Sequence, residues 1–194
     1  GDTMVAVEDP GYPPLRAAFA AAGARVAPVP VDEEGLVVDR LPVGVRVVCV
    51  TPSHQFPLGI AMSARRRADL LDFARARDCV VIEDDYDSEL RFGGRPLDAL
   101  QTIDRAGTVF YVGTFSKSLF PALRLGFVVA PAWARSALVT ARQLADWHGP
   151  TAAQDTLAAF IAEGHLARHV RRMRAAYGGR RVALLAALDR HGRG

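Results

Sequence analysis

Short apolar runs recur along the chain with helix-like stretches between them. Residues 4–7, 25–29, 45–50, 79–82, 109–112 and 125–130 are rich in Val and mostly carry apolar residues at successive positions rather than alternate ones. That pattern calls for burial on both faces, the mark of a mostly parallel sheet covered by helices. The intervening segments carry helix signals. Pro13 opens and Gly23 closes a stretch over 13–22, the usual asymmetry of a helix. Ser63 stands where it can cap residues 64–77, in which Leu70, Leu71, Phe73 and Ala74 supply an apolar stripe. After Pro131 the pattern is helical at 132–147, 152–162 and 166–188, the last with an interruption at Gly178-Gly179. The order predicts an α/β fold, a mostly parallel sheet covered by helices on both faces over residues 1–150, with a helical exit over 151–194. The chain starts Gly1-Asp2-Thr3 directly before an apolar run and ends Arg190-His191-Gly192-Arg193-Gly194 directly behind a helical pattern. Both ends are therefore expected to continue into a longer protein.

Composition narrows the picture without assigning a function. The 194 residues are 50% hydrophobic and 23% charged, which excludes a disordered or fibrous chain. A net charge of +3 is too weak to argue for nucleic acid. Cys49 and Cys79 sit inside apolar runs and read as buried small hydrophobes rather than a disulfide or metal site. No charged-then-apolar leader opens the chain, and a cytoplasmic setting is expected. The longest uncharged stretch, 47–64, contains Pro52 and Pro57 as well as Thr51, Ser53, His54 and Gln55 and does not read as a membrane span. Trp133, Trp147 and the Phe residues fall at helical or strand spacing and are expected in the core. Arg168, Arg171, Arg172, Arg174, Arg180 and Arg181 suit a solvated or subunit-facing helix side better than a DNA-reading one, since no helix-turn-helix pattern accompanies them.

Chemistry is expected just beyond the carboxyl ends of the strands, where open α/β sheets bind ligands. Three such stretches are unusually polar: Thr51-Pro52-Ser53-His54-Gln55-Phe56-Pro57-Leu58-Gly59, then Glu83-Asp84-Asp85-Tyr86-Asp87-Ser88-Glu89, then Gly113-Thr114-Phe115-Ser116-Lys117-Ser118 with Arg124 following. Lys117 is the only lysine in the chain. It suits three roles: a point charge for a phosphate, a nucleophilic amine that forms a Schiff base, or a solvated surface residue. Thr114, Ser116, Ser118 and Arg124 are the donors that a phosphate monoester needs. The Gly-x4-Gly-Lys spacing of a nucleotide phosphate loop is absent. The acidic stretch reads either as a site where an aspartate meets a protonated ring nitrogen beside a tyrosine, or as a solvated or divalent-metal loop.

Taken together, the three stretches resemble the pyridoxal-phosphate-dependent fold-type I aminotransferase family. Within it the likeness is greatest to the aminotransferase-like domain of MocR-type, GntR-family transcriptional regulators. It extends over nearly the whole chain, including residues 160–177. The resemblance implies pyridoxal 5'-phosphate as cofactor and Lys117 as the lysine that forms an internal aldimine with it. It further implies Asp84 as the partner of the pyridine nitrogen, Tyr86 as donor to the ring hydroxyl, and Thr114, Ser116 and Arg124 as phosphate ligands. Asp84 and Tyr86, two apart on an extended segment, point the same way. Tyr12 matches an aromatic near the cofactor or substrate and equally suits a packed turn. His54 falls in the turn that contacts the cofactor, where a general-base role is the weaker expectation, and Phe56 replaces the asparagine usual in that turn. In partners, the resemblance implies a homodimer, a small amino compound or pyridoxal phosphate as effector, DNA only through an upstream domain, and no membrane. The other function open at this point is a catalytic aminotransferase.

Overall fold

The computed structural model describes residues 2–92 and 98–192; Gly1, Arg193 and Gly194, which bore on the expectation about the chain's ends, lie outside the described residues. Seven strands form one sheet: β1 (Met4–Asp9), β2 (Arg25–Asp32), β3 (Gly35–Leu36), β4 (Val47–Val50), β5 (Val80–Asp85), β6 (Val109–Thr114) and β7 (Gly126–Val129). Their order is β3-β2-β1-β4-β5-β6-β7. The four pairings among β2, β1, β4, β5 and β6 are parallel, while β3 and β7 run antiparallel at the two edges. The chain passes from β1 outward to β2 and returns to place β4 on the other side of β1. That reversal opens a crevice at the carboxyl ends of β1 and β4.

The helices are α1 (Pro13–Ala21), α2 (Ala64–Arg77), α3 (Leu100–Ile103), α4 (Arg135–Asp146), α5 (Thr151–Ala162) and α6 (His165–His191). Ser63 caps α2 by accepting from the Arg66 N–H, as its position predicted. One sheet face packs Ala6, Val48, Val50, Val81 and Val109 against Leu70 and Ala74 of α2 and Leu100 of α3. The other places Val5, Val7 and Cys49 against Leu15 and Phe19 of α1. Successive strand residues thus serve opposite faces, which is why the central runs read as continuously apolar.

Three expectations need correction. The helix through Gly178-Gly179 is unbroken, because its length and neighbours outweigh the modest penalty of two glycines. The last strand is antiparallel and exposed at every residue rather than buried on both faces. Trp133 and Trp147 are surface residues, 64% and 85% exposed, not core. Trp133 covers the Phe110 edge and donates to the Gly107 carbonyl, so an indole N–H has drawn it to the rim.

Candidate functional site

The acidic stretch at the end of β5 is dispersed by strand alternation. Glu83 is fully buried on the α2/α3 face, where its two carboxyl oxygens accept from the Leu100 and Gln101 N–H groups and start α3. Asp85, on the same face, accepts from the Tyr111 hydroxyl at 2.6 Å and the Ser88 N–H. Asp84 points the other way and, among the described residues, has no hydrogen-bond partner. Burial, with the Asp85 charge adding to it, pushes its carboxyl above the usual carboxylate range. Among the described residues no three His, Cys, Asp or Glu side chains gather as a metal site.

Tyr86 follows on the Asp84 side. Its hydroxyl donates to the His54 carbonyl at 2.9 Å, and its ring stacks on the His54 ring at 5.9 Å between centroids. Burial, with Asp87, Asp84 and Glu8 nearby, pushes the phenol up to about 12, so it stays protonated. Since its one proton is engaged by a backbone carbonyl, Tyr86 meets a ligand hydroxyl as an acceptor unless that bond is exchanged.

Residues 51–59 form a loop held from within. Thr51 gives both its N–H and its hydroxyl to the Glu8 carboxylate, at 3.2 and 2.6 Å, across the β1/β4 crevice. Gln55, 2% exposed, donates to the Pro10 and Phe56 carbonyls and accepts from the Leu58 N–H. Arg67 of α2 also reaches in, donating to Pro52 and Met62 carbonyls at the two ends of the turn and to Asp98. Gly11 makes the crevice possible on the β1 side: a Cβ there would stand 2.3 Å from the Glu8 carbonyl oxygen. Tyr12 starts α1 and packs edge-on against Phe56 at 5.6 Å.

The third stretch leaves β6 beside β7. Gly113 is required where the two strands meet, because a Cβ would lie 2.4 Å from the Phe127 ring. Thr114 Oγ1 accepts from the Ser116 N–H and donates to the Ser116 hydroxyl. The Phe115 N–H donates to the Leu125 carbonyl, which closes the loop base and brings Arg124, in the left-handed region at φ 52°, back toward Thr114 and Ser116. Ser118, 2% exposed, has a buried hydroxyl without a partner among the described residues.

A cleft of about 890 Å³ unites part of this set: Lys117, Tyr86 and His54 line it, together with Asp87, Arg91 and Arg181. Asp84, Thr114, Ser116, Arg124 and Tyr12 stand on adjoining elements rather than in its lining. Sequence reasoning passed over Glu8, Gln55, Arg67 and Asp87. Glu8 had a readable signal, a carboxylate at the end of an apolar run. Arg67 had none, since Arg65-Arg66-Arg67 looks like a solvated helix face. Of the α6 arginines, Arg181 faces the cleft and Arg174 donates to the Glu89 carbonyl, so the stripe is not uniformly solvated.

A largely parallel sheet with both edge strands reversed, and a lysine, an aspartate and a tyrosine delivered by consecutive strand ends, defines an α/β protein of the fold-type I transferase class. Residues 1–193 match the model of the aminotransferase class I and II family, and the chain belongs to that family. It is 40% identical to the probable rhizopine catabolism regulatory protein MocR of Rhizobium meliloti, over 95% of this chain and 38% of that protein. It is 42% identical to the HTH-type transcriptional regulator TauR of Rhodobacter capsulatus, over 96% of this chain and 39% of that one. Among solved structures it resembles Pyrococcus horikoshii kynurenine aminotransferase in complex with PMP, with a TM-score of 0.90 and 33% identity over 97% of this chain and 49% of that one. The chain thus spans about two fifths of the length of these regulators and half of the enzyme. No helix among the described residues is long and apolar enough to cross a membrane.

Proposed function

We propose that this chain is the pyridoxal-phosphate-binding, effector-sensing domain of a MocR-type transcriptional regulator. The observation that carries the reading is the meeting of the chain's single lysine with Tyr86 and His54 in one cleft at the carboxyl edge of the sheet. The regulator relatives at 40% and 42% identity, against 33% for the enzyme, favour sensing over turnover.

The residues fit the cofactor. When bound, pyridoxal phosphate supplies an aldehyde that joins primary amines and a ring that withdraws electrons when its nitrogen is protonated. Lys117 offers the amine. Asp84, half-buried and unpartnered among the described residues, would hold a proton at a ring nitrogen and thereby recover the stabilisation its carboxylate lacks in isolation. Thr114, Ser116 and Arg124 hold the phosphate, and the unpartnered Ser118 hydroxyl adds a donor within the same loop. Tyr86 meets the ring hydroxyl, and His54 and Tyr12 flank the site. In this reading residues 1–150 are the cofactor-binding domain and 151–194 an exit toward a further domain. The protein works in the cytoplasm as a homodimer, and DNA is contacted through a separate domain.

The full-length protein tests this. A promoter fragment should be bound differently with and without pyridoxal phosphate, while half-reactions with common amino acids stay slow. Rapid amino-group turnover with no effect of the cofactor on DNA binding would instead support the second reading, a catalytic aminotransferase, which the TM-score of 0.90 to an enzyme keeps in view.

A further inference from the structure

His54 flanks the cofactor site and Asp87 has been given no role at it, yet both line the cleft that Lys117 enters. The His54 Nδ1 lies 2.7 Å from the Asp87 carboxylate. A carboxylate accepts only, so Nδ1 carries a proton, and in the neutral ring Nε2 keeps its lone pair. Three further contacts fix the imidazole: its face stacks on Tyr86, its own carbonyl receives the Tyr86 hydroxyl, and Gln55 beside it locks the turn. Among the described residues Nε2 makes no hydrogen bond, and the His54 side chain is 48% exposed. Gly59, also on the cleft wall, leaves room beside it, since a Cβ there would stand 3.5 Å from Nε2. The arrangement is that of a carboxylate-oriented imidazole with its basic nitrogen open to a ligand cavity.

We propose that the His54–Asp87 pair is a proton-accepting dyad that prepares an incoming primary amine for exchange at Lys117. An amino compound arrives at neutral pH as an ammonium ion, which has no lone pair and is not a nucleophile. Nε2 takes one proton from it, leaving a neutral amine and an imidazolium stabilised by Asp87, and the imidazolium later returns the proton to water. This role rests on the proposed function, since it requires the cofactor to be joined to Lys117. The charged and titratable groups that share the cleft with His54 are Asp87, Tyr86, Tyr177, Lys117, Arg91 and Arg181. Asp87 is the one acid among them, and it is the residue in contact with the ring.

Two measurements on the full-length protein test the dyad. In the cofactor-free protein, nitrogen NMR of the imidazole should show Nδ1 protonated and Nε2 bare when the ring is neutral. The opposite tautomer overturns the proposal, whatever becomes of the cofactor assignment. In the loaded protein at saturating cofactor, mixing with an amino acid such as glutamate or alanine should shift the visible absorbance band. H54N should slow that shift about 100-fold at neutral pH, and the deficit should close as the pH approaches the amine's own pKa, where the ligand supplies its own neutral amine. H54F should be as slow as H54N, and D87N should fall between them and the native protein because the ring is freed to adopt the other tautomer. Native rates in H54N, a deficit that persists unchanged at high pH, or recovery in H54F would overturn the dyad, the last by showing that only a flat ring is needed. A native protein with no visible band at all would count against the cofactor assignment, leaving the NMR result to decide the dyad.

Discussion

Arg67 shows how much of the site's shape rests on single side chains. Its guanidinium is 2% exposed and donates to three carbonyls, those of Met62, Pro52 and Asp98, which belong to the turn carrying His54 and to the segment leading into α3. Among the described residues no carboxylate is hydrogen-bonded to it, and burial pulls its pKa down from the ordinary arginine value. The side chain is held in the interior by its hydrogen bonds to three backbone carbonyls. Arg67→Met keeps the apolar stem and removes all five N–H donors, so it should cost roughly 2–4 kcal/mol. A urea midpoint that falls with little change in slope is the expected result, and an unchanged midpoint would show that water replaces the guanidinium without loss. At the same scale, Glu8 and Gln55 set the turn from the β1 side. Burial pushes the Glu8 carboxyl up, and the Thr51 and Gln55 donors work against that shift.

At the scale of elements, the carboxyl end of β5 has sorted three acids into separate tasks by the alternation of a strand. Glu83 is the clearest. It starts α3 with two backbone hydrogen bonds, while burial raises its carboxyl above the ordinary value of 4.5 and the Gln101 and Leu100 N–H groups only partly offset this. A raised carboxyl binds more protons in the folded chain than in the unfolded one, so its contribution grows as the pH falls from the raised value through 4.5 and is lost as the pH rises. Relative to Glu83→Gln, the native protein should therefore gain thermal stability between neutral pH and pH 4.5; a difference that stays flat over that range would contradict the burial account. Much of this architecture was legible in the sequence. The central strands, the bounds of α2 with its Ser63 cap, and the shared orientation of Asp84 and Tyr86 all follow from local pattern. The contacts that give the turn its shape were not legible, because Glu8 and Thr51, 43 residues apart, become neighbours only when β4 inserts beside β1. The unbroken α6 escaped for a related reason, since a glycine pair is a local signal and the helix is held by its length.

Over the whole molecule, the apolar surface is unevenly covered. The sheet face under α1 and the one under α2 are packed, but β7, α4 and the last turns of α6 leave large side chains in water, with Leu144 at 84% and Val182 at 66% exposed. Surfaces of this kind mark sites of association. The chain should self-associate, so its sedimentation coefficient should rise with concentration and fall when Leu144→Glu and Trp147→Glu are introduced together. A monomer at every concentration would contradict that expectation. At the same scale, loops that leave three different strands bring His54 and Tyr86 into one cleft with the lysine. Lys117 is the only lysine among these 194 residues. The most direct measurement is to load the full-length protein with pyridoxal phosphate, reduce with borohydride, digest and map the label by mass spectrometry. A reduced adduct on Lys117 that disappears in Lys117→Ala is the expected result. A loaded protein whose label lies elsewhere, or whose visible band survives Lys117→Ala, would contradict it.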